Sequence, residues 1–167
     1  KEFRSLNELN SLEKDQRIEV LIEISNYYLN RDLDSARLYA TELTSLVQND
    51  SPYNRFRAFR TMGILNSNFN GLSLAIKYYN KARRELLKIE NSSLDEGLLY
   101  NDIGIIYFRQ EKYNDAMEWF QKSLDKAIKY GETGDDFLAT LNVGAVHEKL
   151  NNDSLCLSFY HKYEKLL

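Results

Sequence analysis

Residues whose types and spacing could support enzymatic or metal chemistry are scarce in this chain of 167 residues. The two histidines, His147 and His161, are too few for a histidine-based metal site unless carboxylates complete it. Cys156, the single cysteine, cannot form a disulfide within the chain and is predicted to be a buried, unreactive thiol. Asp135 and Asp136 precede a predicted helix, where they stabilise its positive N-terminal end. The sequence therefore predicts no catalytic residue, no metal and no cofactor, and so a protein that is not an enzyme.

The composition favours a folded, mostly helical chain without a membrane span. Hydrophobic residues make up 43% of the chain and aromatic residues 13%, which is too much apolar material for a disordered protein. Seven glycines and one proline leave few helix breakers. The net charge of −3 argues against a protein whose main task is to coat nucleic acid. No apolar run approaches the ~20 residues of a membrane span, so we expect neither nucleic-acid binding nor membrane contact in this segment.

A repeat with a period of about 40 residues runs through the chain. Its first signal is a glycine at spacings of 41 and 40 residues: Gly63, Gly104 and Gly144. A small residue follows at spacings of 39, 41 and 40 residues: Ala36, Ala75, Ala116 and Cys156. Aromatic residues stand four positions after three of these, and residues of helix N-cap type stand two positions before all four: Tyr79, Phe120 and Tyr160, then Asp34, Ser73, Asn114 and Ser154. Residue classes that share one period predict repeated units of one structure.

The physical meaning of this pattern is a stack of helical hairpins. A glycine inside a helix costs about 1 kcal/mol relative to alanine, so glycine at one place in three helices predicts a close approach between helices. The small residue early in the second helix serves the same contact, and the aromatic residue one turn later fills the space that the small residues leave. The N-cap-type residues are predicted to accept hydrogen bonds from unpaired N–H groups at the start of the second helix.

These residues resemble a tetratricopeptide repeat array, of the long-period type similar to those in bacterial sensor and regulator proteins. The third repeat carries the best match, with large, small and aromatic residues in the family's places: Tyr100, Ile103, Gly104, Tyr107, Tyr113, Ala116, Phe120 and Leu124. The resemblance implies an all-α fold, an α-solenoid of about four helix-turn-helix repeats, and a context in signal transduction. The chain departs from the family in its period, since ~34 residues is usual, and in lacking the proline that usually closes each second helix.

The predicted organisation is a single domain over residues 1–167 that belongs to a longer protein. It consists of a leading helix at 1–14 and repeats at about 15–50, 53–92, 95–132 and 135–167. The last helix carries apolar residues on more than one side, whereas a solenoid usually ends in a polar cap. We therefore expect either a fragment of a longer chain or self-association through open solenoid ends. The first residue is Lys1, and both a cytoplasmic and a periplasmic location stay open.

The second repeat is a basic segment between two acidic ones. Residues 1–50 have a net charge of −4, residues 53–88 of +7 and residues 89–167 of −6. One interpretation is a solvated face that balances its neighbours. The other is a site for an anionic group, such as an acidic segment of a partner protein.

In tetratricopeptide arrays, the first helix of each repeat lines a concave groove that binds an extended or helical peptide. The resemblance places eleven residues of this chain in such a groove: Arg57, Arg60, Ile64, Asn68, Leu98, Asn101, Ile105, Phe108, Arg109, Leu138 and Leu141. The groove is predicted to bind a protein or peptide through apolar burial in the third and fourth repeats. Charge-assisted hydrogen bonds from Arg57, Arg60 and Arg109 would orient an acidic partner.

Two other hypotheses about function compete with peptide binding. The main alternative is a sensory or dimerisation segment of a bacterial signal-transduction or transcription-regulatory protein. RNA binding through the basic second repeat is disfavoured, because aromatic residues do not interleave with its basic residues on one face.

Overall fold

The computed structural model describes the backbone of residues 6–69, 71–90, 93–130 and 135–164, and the side chains of residues 8–69, 71–90, 95–127 and 138–161. Every regular element in these ranges is an α-helix, and their bounds follow the predicted hairpins closely. The helices are α1 (Leu6–Leu9), α2 (Lys14–Tyr28), α3 (Leu33–Leu46), α4 (Pro52–Asn68), α5 (Leu72–Leu86), α6 (Ser93–Arg109), α7 (Tyr113–Tyr130), α8 (Asp135–Lys149) and α9 (Asp153–Glu164). None of the described helices is long and apolar enough to cross a membrane.

The chain divides into two compact units, Lys1–Ile89 and Glu90–Leu167. In the first unit α2 packs on α3 and α4 packs on α5, while α4 also contacts both α2 and α3. In the second unit α6 packs on α7 and α8 packs on α9, while α8 also contacts both α6 and α7. Helices α2, α3 and α4 of the first unit, and α6, α7 and α8 of the second, thus contact both their hairpin partner and a helix of the neighbouring hairpin in the same unit. This is the all-α, solenoid-type packing of helical repeats that the sequence predicts.

The glycines of the repeat lie where helix partners approach most closely, as predicted. A Cβ atom added at Gly104 would lie 2.5 Å from the ring of Phe120, and one added at Gly144 would lie 2.9 Å from the ring of Tyr160. A Cβ atom added at Gly63 would clash in the same way with the ring of Tyr79. Real Cβ atoms do not come this close to other atoms. The aromatic residue of each second helix therefore occupies the space that glycine leaves empty in the first helix.

The first repeat differs from the later ones at this contact. Its first helix has no glycine: the buried Ser25 stands three residues before Tyr28, as each glycine of the later repeats stands three residues before Asn66, Tyr107 or His147. On the second helix the fully buried Ala40 stands four residues after Ala36, where the later repeats carry an aromatic ring. The first repeat therefore lacks both members of the glycine–aromatic pair, which explains why it has the weakest sequence match.

The N-cap prediction is wrong by two positions. In all four second helices the first backbone hydrogen bond runs from the small residue to the carbonyl four residues earlier, in Asp32, Gly71, Lys112 and Asn152. The predicted caps Asp34, Ser73, Asn114 and Ser154 lie inside the first turn instead. In α3 the side chain of Asp32 is the cap, and its carboxylate accepts from the N–H of Asp34 at 3.1 Å. Gly71 caps α5 without a side chain.

The remaining sequence predictions about individual residues fall partly within the described ranges. Leu9 of the leading helix is fully buried and joins the core of the first unit, while residues 1–5 lie outside the described part. Cys156 is a buried free thiol at the small-residue position of the fourth repeat. His147 is half-buried and stacks on the ring of Phe159, with ring centroids 5.4 Å apart.

The glycine–aromatic contact predicts opposite effects for two substitutions in the same helix. Gly104→Ala is expected to lower the free energy of unfolding by about 1–3 kcal/mol, because overpacking against Phe120 outweighs the gain in helix propensity. Gly97→Ala is the control. Its Cβ would lie 3.4 Å from Lys126, an ordinary contact, so this variant should be as stable as the parent or up to ~1 kcal/mol more stable. Urea unfolding followed by circular dichroism measures both, and equal effects at the two glycines would contradict the contact.

Candidate functional site

The start of α4 is fixed by a short network of polar contacts, and this helix carries four of the predicted groove residues. Ser51 is the N-cap, its hydroxyl accepting from the N–H of Asn54 at 3.2 Å, and Pro52 occupies the first helical position. Asp50 pairs with Nζ of Lys14 at 2.7 Å and accepts from the N–H of Ser51. These hydrogen bonds, led by that from Lys14, lower the pKa of Asp50 to about 2. The network ties the start of α4 to α2.

Arg57 is already engaged by a carboxylate of its own chain. Both terminal nitrogens of its guanidinium donate to the two oxygens of Glu19 on α2, a bidentate ion pair. The hydrogen bonds from Arg57 hold the pKa of Glu19 below its usual value. The guanidinium also lies 5.6 Å from the ring centroid of Tyr53. Arg57 therefore joins the first helices of two repeats, and an acidic partner would have to compete with Glu19 for it.

The other three predicted residues of α4 are Arg60, Ile64 and Asn68. Arg60 and Ile64 are half-buried, and Asn68 is exposed near the end of the helix. Nδ2 of Asn68 donates to the carbonyl oxygen of Ile64 at 3.1 Å, and Oδ1 of Asn68 takes no part in this bond. Together with Arg57 these residues recur at helical spacing along α4.

In the second unit, one predicted groove residue of α6, Asn101, bonds to the neighbouring first helix α8. Helix α6 contacts α8, and Nδ2 of Asn142 on α8 donates to Oδ1 of Asn101 on α6 at 2.6 Å. The apolar residues predicted on these helices remain partly exposed, Leu138 most of all at 46%. We call this set the α6–α8 surface, and it consists of Leu98, Asn101, Ile105, Leu138 and Leu141.

Phe108 and Arg109 have different surroundings from the α6–α8 surface. Phe108 is half-buried and meets the ring of Tyr113 edge-on, with centroids 5.5 Å apart. It packs, together with Ile105, on the buried cluster that contains Phe120 and Val143. Arg109 is exposed at the end of α6. Phe108 thus contributes to the core of the second unit, so its removal would cost stability as well as any binding.

Sequence reasoning missed two polar residues that orient the predicted ones, Glu19 and Asn142. Glu19 stands 38 residues before Arg57, and Asn142 stands 41 residues after Asn101. Both separations are close to the repeat period. A search for complementary polar residues one period apart on the first helices would have found them, because residues one period apart occupy neighbouring helices of the stack.

The basic second repeat is partly neutralised within itself. Arg55 donates to Oε2 of Glu85 from two nitrogens, at 3.1 and 2.9 Å, and Nζ of Lys88 lies 2.9 Å from the same oxygen. Burial raises the pKa of Glu85, but the hydrogen bonds from Arg55 and Lys88 outweigh it, so the pKa lies below its usual value. On α5, no carboxylate of the described residues pairs with the exposed Lys77 or Arg84.

Potential metal ligands do not cluster in the described ranges. Within these ranges, no group of three or more His, Cys, Asp or Glu residues is placed to hold a metal ion.

Comparison with known sequences gives a partial match. No family profile matches the chain. An uncharacterised protein called ycf37 from Cyanophora paradoxa is 31% identical over 100 residues, which cover 58% of this chain and 55% of that protein. The chain thus spans about half the length of this relative.

Solved structures show the same fold at low sequence identity. BtubC from P. vanneervenii superposes with a TM-score of 0.76 at 12% identity, over 91% of this chain and 61% of that one. A signal-transduction ATPase of the STAND class from Pyrococcus horikoshii, with a tetratricopeptide repeat sensor, superposes with a TM-score of 0.79 at 18% identity. That match covers 93% of this chain and 24% of the ATPase. The chain therefore has the fold of a helical repeat array.

The network at Asp50 predicts a pH-dependent contribution to stability. Its pKa of about 2 in the folded state lies below the ordinary value of 3.8, so the carboxylate stabilises the fold above about pH 4 and loses this effect as the pH falls towards 2. Asp50→Asn should therefore unfold at lower urea concentration than the parent at neutral pH, with the difference shrinking in acid. Glu23→Gln, at an exposed position of α2, is the control. A difference for Asp50→Asn that stays constant down to about pH 2 would contradict the proposed pairing.

Proposed function

We propose that this chain is a non-enzymatic, tetratricopeptide-like scaffold that binds a protein or peptide along the first helices of its repeats. The observation that carries the proposal is the α6–α8 surface. Two neighbouring first helices there present partly exposed apolar side chains around a polar pair, Asn101 and Asn142. Apolar contact area with a few fixed polar groups is the composition of a peptide-binding surface.

The polar pair, Asn101 and Asn142, would contribute to the binding specificity of the surface. The hydrogen bond between Asn101 and Asn142 uses one amide hydrogen and one oxygen, and each side chain keeps further donors or acceptors for a partner backbone. Leu138 and Leu141 stand on the α8 side of this pair, and Leu98 and Ile105 stand on the α6 side. An extended segment lying along the surface would bury apolar side chains while its amide groups bond to the asparagines.

The basic residues of α4 extend the proposal to the second repeat. Arg57 holds Glu19 in a bidentate ion pair, so this position of the fold accepts a carboxylate with good geometry. Glu19 is 57% exposed in its side chain, and an acidic residue of a partner would exchange with it rather than fill an empty site. We therefore expect α4 to favour acidic partners only modestly, since one carboxylate replaces another.

The test of this proposal uses two exposed leucines of the second unit. Peptides are first selected from a random display library on the parent protein. Leu138→Lys should then weaken binding of the selected peptides at least about tenfold, because it places a charge on the α6–α8 surface. Leu157→Lys, on α9 and 58% exposed, makes the same chemical change elsewhere and should alter affinity less than about twofold.

Phe108→Ala is a poorer test because Phe108 also packs on the core. Both lysine variants should retain the circular dichroism spectrum and the urea midpoint of the parent. The proposal fails if no peptide binds saturably, or if Leu138→Lys and Leu157→Lys weaken binding equally.

A second candidate function is a sensory or dimerisation segment of a bacterial signalling or transcription-regulatory protein. Two observations favour it. Leu155 and Leu157 of α9 are 49% and 58% exposed, and the solved STAND protein with the same fold carries its repeats as a sensor. If α9 mediates self-association, sedimentation velocity should show a dimer that Leu157→Lys dissociates and Leu138→Lys leaves intact. A protein that remains monomeric at all concentrations would exclude this function.

A further inference from the structure

A cleft separate from the predicted groove opens among three helices of the first unit. It is lined by one face of α3, by the last turns of α4 and by the first turn of α5. The lining residues are Leu33, Arg37, Thr41, Met62, Leu65, Asn66, Phe69 and Leu74. Because none of the eleven predicted groove residues belongs to this lining, the cleft is a different surface from the one described above.

The size of the cleft limits what it can hold. Its volume is about 240 Å³, below the ~300–1,000 Å³ of sites that enclose a whole small molecule. Two of its apolar residues, Phe69 and Leu74, remain 38% and 45% exposed. The cleft is therefore suited to one bulky side chain of a larger partner, which would cover these exposed residues.

The polar residues of the cleft indicate the charge of that partner. Arg37 is exposed, and no carboxylate among the described residues forms an ion pair with it. This contrasts with Arg17, Arg55 and Arg57 of the same unit, which are paired with Glu42, Glu85 and Glu19. The cleft thus combines an apolar lining with a guanidinium that has no carboxylate partner, an arrangement complementary to an apolar side chain next to an acidic one.

We propose that this cleft docks a partner segment in which a leucine-like side chain is followed by an acidic residue. The apolar side chain lies against Met62, Leu65 and Leu74, and the neighbouring carboxylate pairs with Arg37.

The methionines provide a direct experiment. The chain has two, Met62 in the cleft and the partly buried Met117, which packs on the core of the second unit, so methyl-labelled methionine gives one reporter and one internal control. The probes are N-acetyl-Leu-Glu-amide and its neutral counterpart N-acetyl-Leu-Gln-amide, added to the full chain. A probe that buries one side chain and forms one ion pair is expected to bind with a dissociation constant in the millimolar range.

The Met62 methyl signal should shift saturably with the Leu-Glu probe, while the Met117 signal stays in place. The Leu-Gln probe should bind about two- to fivefold more weakly, the difference that one exposed ion pair supplies. Arg37→Gln should abolish this preference, whereas Arg31→Gln, an exposed arginine bonded to the Tyr27 carbonyl, should keep it.

The inference is overturned if Met62 does not respond, if the shift does not saturate, or if the parent protein binds both probes equally. None of these outcomes bears on the α6–α8 surface, whose test depends on Leu138. The two proposals therefore stand or fall separately.

Discussion

The packing of an aromatic ring directly over a glycine backbone is the contact on which each later hairpin depends. Gly63, Gly104 and Gly144 remove the Cβ atoms that would collide with Tyr79, Phe120 and Tyr160. Large rings meeting a bare backbone give close, well-packed helix pairs, and dense packing of this kind resists changes of even one methyl group. Because each of these three hairpins is closed at this point, the contact also fixes which face of the first helix is left to solvent.

The solvent-facing side of each first helix is the part of the hairpin that the proposed function uses. On α6, Gly104 and Ile103 are buried against the hairpin, while the adjacent Ile105 is only partly covered. Neighbouring first helices are then joined by polar contacts one period apart, Glu19 to Arg57 and Asn142 to Asn101. The scaffold thus holds apolar side chains at a surface while polar side chains of neighbouring first helices bond to each other, a combination that suits a binding surface.

The residues that recur in each repeat, and the helix faces on which they lie, could be predicted from the sequence. The ion-pair partners of individual charged side chains could not. The spacing of Gly104 and Phe120 predicted the hairpin and its closest contact, because periodicity records geometry directly. The cap positions were misplaced because residues such as Ser73 favour both a cap and a first helical turn. The sequence predicts that Arg57 binds an acidic partner, but in the structure Arg57 pairs with Glu19, a contact that depends on how two hairpins stack. The cleft beside Arg37 could not be predicted either, because it is formed by three helices together.

A double-mutant cycle at the glycine–aromatic contact tests the central claim most directly. Phe120→Ala removes the ring that a Cβ atom at position 104 would meet. The double variant Gly104→Ala with Phe120→Ala should therefore be clearly more stable to urea than the sum of its single variants predicts. Recovery of about 1 kcal/mol or more is the result expected for neighbours that share one space. Strictly additive losses would contradict the account, because they would mean that Gly104 and Phe120 do not share a contact.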